Sequence, residues 1–401
     1  MRPRGATRVA ATAAAWALVC TTCGTRVAFG PHVSGCPSCA ERGAIGLLEC
    51  VRPPGPPPRR PEGRVRGMAR YHHLLPQADG VEWISLGEGG TALVPSRHIG
   101  PALGLDRLYF KLEQQNPTSS FKDRYVALTL NVARHFGFRR TVVSSTGNLG
   151  VSVAAYSAYC GMACHFVAPD EVPPNIQLEA ALFGADVELV DKARRFTRFE
   201  AIASDADCFP VGLFLARAVQ NPFGVEAYRT FGYELLDDLG RVPDAVLFPC
   251  ARGNGLYGAW KGFQDAIYWR WADRMPAMVA CQPAQANSLE ASLRSGSASA
   301  VALPPADSVA RSICETTASD RALSAIRQSG GTAVSATDQE IIEAVRDLGR
   351  EGINAEASAA VTVACLRSML EEGNVASNAT IVCILTGAGH RWPEQNSWLI
   401  R

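Results

Sequence analysis

Asn116–Tyr125 reads NPTSSFKDRY, and the lysine in it is out of character for the chain. Of 39 lysine and arginine residues only four are lysine, namely Lys111, Lys122, Lys192 and Lys261. A basic surface residue here is arginine by habit. A lysine kept against that habit points to a need for its amine, which can condense with an aldehyde where a guanidinium cannot. The segment continues as SSFKDRYVALTLNVARHFG, a helix opening on a serine pair, with Val126, Leu130 and Ala133 on one face and Gly137 at its end.

Outward from Lys122, short β-rich runs alternate with amphipathic stretches. RLYFKLE, RTVVSS, CHFVAP, DVELVD, DAVLFPC, AMVACQ and TIVCILT read as strands. NLGVSVAAYSAYCG, NIQLEAALFG, LYGAWKGFQDAIYWRW, DQEIIEAVRDLGREG and ASAAVTVACLRSML read as helices. Short apolar strands each followed by a helix predict an α/β fold with parallel sheets covered on both faces. Ligands in such sheets sit at the carboxyl ends of strands. The loops STGNLG, CARGNGLYG and LTGAGH are therefore where chemistry is expected.

The 401 residues are too many for one small core, and a net charge of +1 gives no reason to expect nucleic acid or an acidic membrane as partner. No apolar run is long enough for a membrane-spanning helix. ATAAAWALVC looks like a short signal segment ending in a lipobox, but Val19 stands before Cys20 where a small residue belongs. Most of the thirteen cysteines, such as Cys160, Cys164, Cys250, Cys281 and Cys383, are scattered singly through apolar segments. That is how a cytoplasmic protein uses reduced, buried thiols.

Four cysteines differ. Cys20, Cys23, Cys36 and Cys39 form two CxxC pairs about a dozen residues apart, which matches a zinc ribbon over residues 1–50 with a structural zinc. The alternative is a ribbon that has lost its metal. Residues 51–70 include VRPPGPPPRRPEGR, whose prolines exclude helix and sheet interior and mark a stiff linker.

CARGNGLYG follows a strand and opens a helix, with Gly253, Gly255 and Gly258 spelling G-x-G-x-x-G. A dinucleotide site would need an acidic residue at the end of the next strand, and AMVACQ offers Gln282. A single-phosphate site survives that test, as does a plain glycine turn. Asn148 in STGNLG and Thr386 in LTGAGH, each taken alone, read equally well as turn residues. Taken together, a phosphate cradle, a lysine at a loop-to-helix boundary, an Asn amide and a strand-end Thr are what pyridoxal phosphate requires.

At this point NPTSSFKDR, SSTGNLG, SLGEGGTALV (Ser85–Val94) and CILTGAGH resemble threonine synthase and its relatives, the fold type II pyridoxal-phosphate enzymes, from about Val81 to Gly389. The resemblance implies two parallel-sheet domains, a large cofactor-binding one from 71–115 and 231–401 and a small one from 116–230. It implies that Lys122 forms the Schiff base and moves protons, and that Asn148 bonds the ring 3-oxygen. Gly253, Asn254 and Gly255 would hold the cofactor phosphate, and Thr386 would face the ring nitrogen. Ser145, Thr146 and Gly147 would clasp the carboxylate of an amino-acid substrate, and Asp123 and Arg124 would fix the loop, for example through an ion pair. A homodimer follows by the same analogy.

The substrate side departs from the family pattern. Leu149 stands where a small hydroxyl residue is usual, Ile176 where a basic one is, and Arg252 leads the phosphate loop. Gly90 and Ala92 replace the Asn and Pro of GEGNTP. An apolar residue in place of a charge-assisted hydrogen bond forfeits roughly 1.5–3 kcal/mol. Three functions stay open. One is threonine synthesis from O-phosphohomoserine with phosphate release. Another is β-replacement on phosphoserine or serine, of the cysteate- or diaminopropionate-synthase type, or deamination of serine or threonine. The last is a non-catalytic binding protein. Adjacent His72 and His73 should point apart, exposed His390 and the charged KARRFTRFE are expected in solvent, YWRWADR reads as core or interface, and Lys111 and Lys261 as salt-bridge lysines.

Overall fold

The computed structural model describes residues 16–60, 66–77, 82–214, 219–373, 375–393 and 397. The first part of the signal-like stretch and residues 61–65 of the linker lie outside them. Ala17–Cys20 (β1), Arg26–Ala28 (β2) and Leu48–Val51 (β3) form an antiparallel sheet in the order β2-β1-β3. Residues 52–60 carry no helix or strand, as their prolines require.

Two further sheets build the body. Leu93–Pro95 (β4) and Arg107–Leu112 (β5) come first, then Arg140–Ser144 (β6), Ala163–Pro169 (β7), Asp186–Val190 (β8) and Cys208–Val211 (β9). A two-residue ribbon, Leu213–Phe214 (β10) with Val219–Gln220 (β11), precedes Ala245–Pro249 (β12), Ala277–Pro283 (β13), Thr332–Ala336 (β14) and Thr380–Leu385 (β15). One sheet runs β14-β13-β12-β15-β5-β4, parallel except for β4 on β5; the other runs β8-β7-β6-β9, all parallel. The central strands are apolar throughout because both faces are covered. Along β15, Val382 and Ile384 enter the core shared with the smaller sheet, while Ile381, Cys383 and Leu385 enter a second core against Val361 and Leu366.

The strands and helices read from sequence are present. Two of those not read have physical reasons. β9 is four residues long with Pro210 inside it, and the helix Arg229–Leu239 carries Gly232, a poor helix former. That glycine is there for close packing, since a Cβ would stand 2.8 Å from the backbone nitrogen of Phe263. KARRFTRFE is more than a solvated face: the helix Arg195–Ala203 buries Phe199 and Ile202. In YWRWADR, Trp269 is core and stacks near Tyr233 and Trp271. His72 and His73 do not point apart; their rings meet edge to face at 5.6 Å in a short 3-10 helix.

A charge network, buried except at Asp238, joins the elements around Lys122. Arg124 donates to both Glu113 oxygens at 2.8 and 2.7 Å and both Glu234 oxygens at 2.6 and 2.8 Å. Lys111 Nζ lies 2.9 Å from Glu234 and 2.9 Å from Asp238. Burial opposes ionisation of Glu234, but Arg124 and Lys111 hold its carboxyl well below the usual range. Its contribution to stability is therefore complete above the ordinary glutamate pKa and is lost as pH falls. Replacing Arg124 by Met strands two buried carboxylates and should lower unfolding free energy by about 3–5 kcal/mol. Denaturant titration at neutral pH reads this; a loss below about 1 kcal/mol would show the network to be dispensable.

Candidate active site

The Lys122 loop is zipped against the end of β15. Phe121 N donates to Thr386 O at 2.9 Å and Ala388 N to Ser119 O at 3.1 Å, with Ser120 opposite Gly387. Asp123 locks the same loop: its buried carboxylate accepts from Thr118 N at 2.6 Å, Thr118 Oγ1 at 2.5 Å and Ser152 Oγ at 2.5 Å. Burial pushes its carboxyl up to about 6, against these donors. Asp123 and Arg124 thus both fix geometry, but not by pairing with each other; Arg124 takes Glu113 and Glu234.

Lys122 opens the helix Lys122–His135, its Nζ 4.3 Å from the centre of the Phe121 ring. Lys111, Lys261 and Lys192 face acids at 2.9, 2.5 and 3.8 Å. Among the described residues no carboxylate lies within salt-bridge distance of Lys122. Desolvation lowers its amine to about 8, with Glu356 and Glu315 pulling the other way.

The glycine loop comes up beside Phe121. Gly253, at φ +80°, precedes the helix Asn254–Tyr268. A Cβ on Gly253 would stand 2.4 Å from Ala322 Cβ, and one on Gly255 3.2 Å from the Phe121 ring. Gly258 serves packing instead, since its Cβ would stand 2.5 Å from Val225 O. A second helix, Asp320–Gln328, begins at the same place, with its cap Ser319 Oγ donating to Arg252 O at 2.8 Å. Two helix N-termini and bare backbone suit an anionic phosphate. Gln282, at the end of β13, bonds Cys250 O at 3.2 Å and Leu289 N at 2.9 Å, so it holds the loop and leaves no ribose partner.

Asn148, first in the helix Asn148–Tyr159, donates from Nδ2 to Glu356 Oε2 at 3.1 Å, while its Oδ1 is buried without a partner. Trp392 Nε1 donates to the same Glu356 oxygen at 3.0 Å. Neither Glu356 nor Trp392 was singled out in the sequence; the only signal is an acid before the Ala-rich helix Ala357–Glu371. Thr386 is buried at the end of β15. In the Ser145–Gly147 loop, Gly147 N donates to Ser145 Oγ at 3.1 Å. Trp392 and Ile176 crowd Gly147, at 3.0 and 3.5 Å from where its Cβ would be. His390 is exposed, as expected. The second Nδ2 hydrogen of Asn148, the orphaned Ser144 Oγ, an amine with no acid partner among the described residues and the glycine cradle together fit pyridoxal phosphate.

The profile described as pyridoxal-phosphate dependent enzyme matches residues 84–387. The chain belongs to that family. Within the pyridoxal-phosphate dependent enzymes it is threonine synthase-like. It is 32% identical over 344 residues to the threonine synthase of Methanocaldococcus jannaschii, covering 82% of each chain. It is 31% identical to that of Synechocystis, covering 83% of this chain and 86% of that one. Solved structures share the fold: tomato threonine deaminase isoform 2 (TM-score 0.66, 21% identity, 77% of this chain and 86% of that one) and maize serine racemase (TM-score 0.65, 19% identity, 77% and 92%).

Apart from this site, Cys20, Cys23, Cys36 and Cys39 converge, all four sulfurs lying within 4.8 Å of one another. Gly46 leaves them room, since a Cβ there would stand 2.7 Å from both Cys20 and Cys39 Sγ.

Capture of the cofactor aldehyde needs a neutral amine. Reconstitution of the apo-protein, followed by absorbance, should rise with pH and reach half its maximal rate near pH 8, not near the 10.5 of an ordinary lysine. A midpoint above 10 would mean that Lys122 is solvated in solution.

Proposed function

We propose that the chain is a threonine synthase-type lyase that takes O-phosphohomoserine, releases phosphate and adds water to give threonine. One observation carries the reading: a buried lysine amine with no carboxylate in salt-bridge distance among the described residues, on a loop bonded to Thr386 and packed through Phe121 against Gly255. The chain around it resembles threonine synthases over 82% of its length.

Bound pyridoxal phosphate supplies the electron sink that makes a proton on the substrate's α-carbon removable. In this reading Lys122 holds the cofactor through its amine and, once displaced by the substrate's amine, moves protons at Cα and Cβ. A pKa of about 8 suits it to both directions near neutral pH. Asn148 donates to the ring 3-oxygen. Gly253, Asn254 and Gly255 hold the phosphate by backbone amides, and Thr386 meets the ring nitrogen with a neutral hydroxyl. Ser145, Thr146 and Gly147 receive the substrate carboxylate at the start of the Asn148–Tyr159 helix, where the dipole favours an anion. Ile176 and Trp392, packed on Gly147, exclude water from that end.

Residues 71–115 and 231–401 serve as the cofactor domain and 116–230 as the smaller one. The ribbon cysteines hold a structural zinc, their four ligands leaving no open position. The enzyme acts as a cytoplasmic homodimer on a small amino acid, without nucleic acid or membrane; its free, mostly buried thiols support the compartment.

A second reading, β-replacement on phosphoserine or serine or deamination of serine or threonine, is favoured by the apolar Leu149 and fully buried Ile176 beside the carboxylate loop. Arg252 and Arg195 are the cations this reading assigns to the leaving group. Arg195 Nε is buried without a partner. Glu315 lies 3.8 Å from Arg252 and acts electrostatically on both Arg195 and Lys122.

Phosphate release by the holoenzyme from O-phosphohomoserine, compared with phosphoserine, decides between the readings. Faster turnover of the former supports the first, and exclusive use of the latter or of serine overturns it. Lys122→Ala should abolish turnover with either substrate; retained turnover would place the chemistry on another residue.

A further inference from the structure

We propose that Glu356 is a positioning residue: its carboxylate sets which end of the Asn148 amide faces the cofactor and holds Trp392 over the Ser145–Gly147 loop. The inference rests on the reading of Asn148 given above.

Glu356 is 2% exposed, yet one of its oxygens accepts two side-chain N–H groups, from Asn148 at 3.1 Å and Trp392 at 3.0 Å. Its backbone is pinned as well, Glu356 N donating to Gly387 O at 3.0 Å. Gly387 makes room for it, since a Cβ there would stand 2.7 Å from Glu356 Oε1. Glu356 therefore ties together the loop after β15, the start of the Asn148–Tyr159 helix and the chain's last described turn.

The chemistry follows from what each group can offer. An Asn amide can rotate to present either N–H or C=O. The ring 3-oxygen of pyridoxal phosphate is an acceptor and needs the N–H. An ionised carboxylate only accepts, so it draws Nδ2 towards itself. Nδ2 carries two hydrogens, Glu356 takes one, and the other is left for the ring oxygen. A neutral amide in place of Glu356 would stabilise either orientation. The same carboxylate holds the Trp392 indole, whose far edge covers Gly147. Cofactor orientation and carboxylate loop are thus set by one side chain. Burial pushes the Glu356 carboxyl above the ordinary range, while the hydrogen bonds from Asn148 and Trp392 and the facing charges of Arg391 and Lys122 favour its ionised form.

The test uses the holoenzyme with Glu356→Gln, Asn148→Ala and the double variant. Readouts are the absorbance spectrum of the bound cofactor, its pH midpoint, cofactor retention on dialysis, and kcat and KM. Glu356→Gln should shift the spectral midpoint to lower pH, because a negative charge near the Lys122 nitrogen is gone. It should also lower kcat about 10- to 100-fold, with a smaller change in KM. The double variant should lose less than the sum of the two single losses, because the part of Glu356's effect that passes through Asn148 is already gone. Where Glu356→Gln fails to fold, Glu356→Asp, which keeps the charge one methylene short, should lower kcat while leaving the spectral midpoint closer to wild type. A wild-type spectrum and kcat in Glu356→Gln, with Asn148→Ala altered, would overturn this inference alone, as would losses that add in the double variant. A wild-type spectrum in Asn148→Ala would overturn the reading of Asn148 and this inference with it.

Discussion

The structure depends on one buried guanidinium. Arg124 lies two residues past Lys122 and is fixed on both flanks by carboxylates from different parts of the chain, Glu113 after β5 and Glu234 in the helix Arg229–Leu239. Five N–H donors in a planar fork leave few ways to satisfy two carboxylates at once. A buried arrangement of this kind adds little net stability over apolar packing, and its value lies in excluding other arrangements. Here it dictates where the helix Lys122–His135 begins, and so where the Lys122 amine stands. Gly90 N donates to Glu234 and Gly89 N to Asn116, so the GEGG loop is drawn into the same network.

The cysteine-bearing segment is part of the body and not an appendage. Glu49, on β3, accepts from Tyr257 at 2.7 Å and Arg321 at 3.0 Å. Those residues lie in the first turns of the two helices that begin at the phosphate cradle. Cys50 Sγ donates to Pro222 O at 3.5 Å, and Phe29 packs edge-on against Phe223 at 5.4 Å. The ribbon therefore buttresses the cradle from behind. That position explains why a segment so far in sequence from the catalytic loops shares their core, with Leu18 and Leu48 in the same cluster as Phe248 and Ile384.

What was legible in the sequence is what local chemistry dictates. The alternation of apolar strands and amphipathic helices, the glycines before Asn254 and a lysine among arginines each carry their signal within a few residues. What was not legible depends on contacts between distant segments. Glu356 looks like any helix-capping acid until Asn148 and Trp392, 208 residues before it and 36 after it, close on its carboxylate. The pairing of Asp123 could not be read because Asp-Arg neighbours suggest an ion pair, whereas hydroxyls from Thr118 and Ser152 reach it first. The helix Arg229–Leu239 was hidden by a glycine whose reason lies in another helix.

In the proposed reaction the site would divide into a half for the cofactor and a half for the leaving group, and the two would follow different physics. The cofactor half is preorganised: Phe121 and Ala388 tie the Lys122 loop to the end of β15 and Glu356 holds Asn148, so little ordering remains to be done when the ring arrives. The leaving-group half is not. Arg195 and Arg252 are only partly buried, one with an orphaned Nε and the other loosely paired with Glu315. A leaving phosphate that bound tightly before the reaction would gain nothing in rate, because interactions shared equally by ground and transition states do not lower the barrier. Cations that meet the departing charge only as it develops do lower it. In the proposed reading, partly buried Arg195 and Arg252 would serve an anionic leaving group in this way.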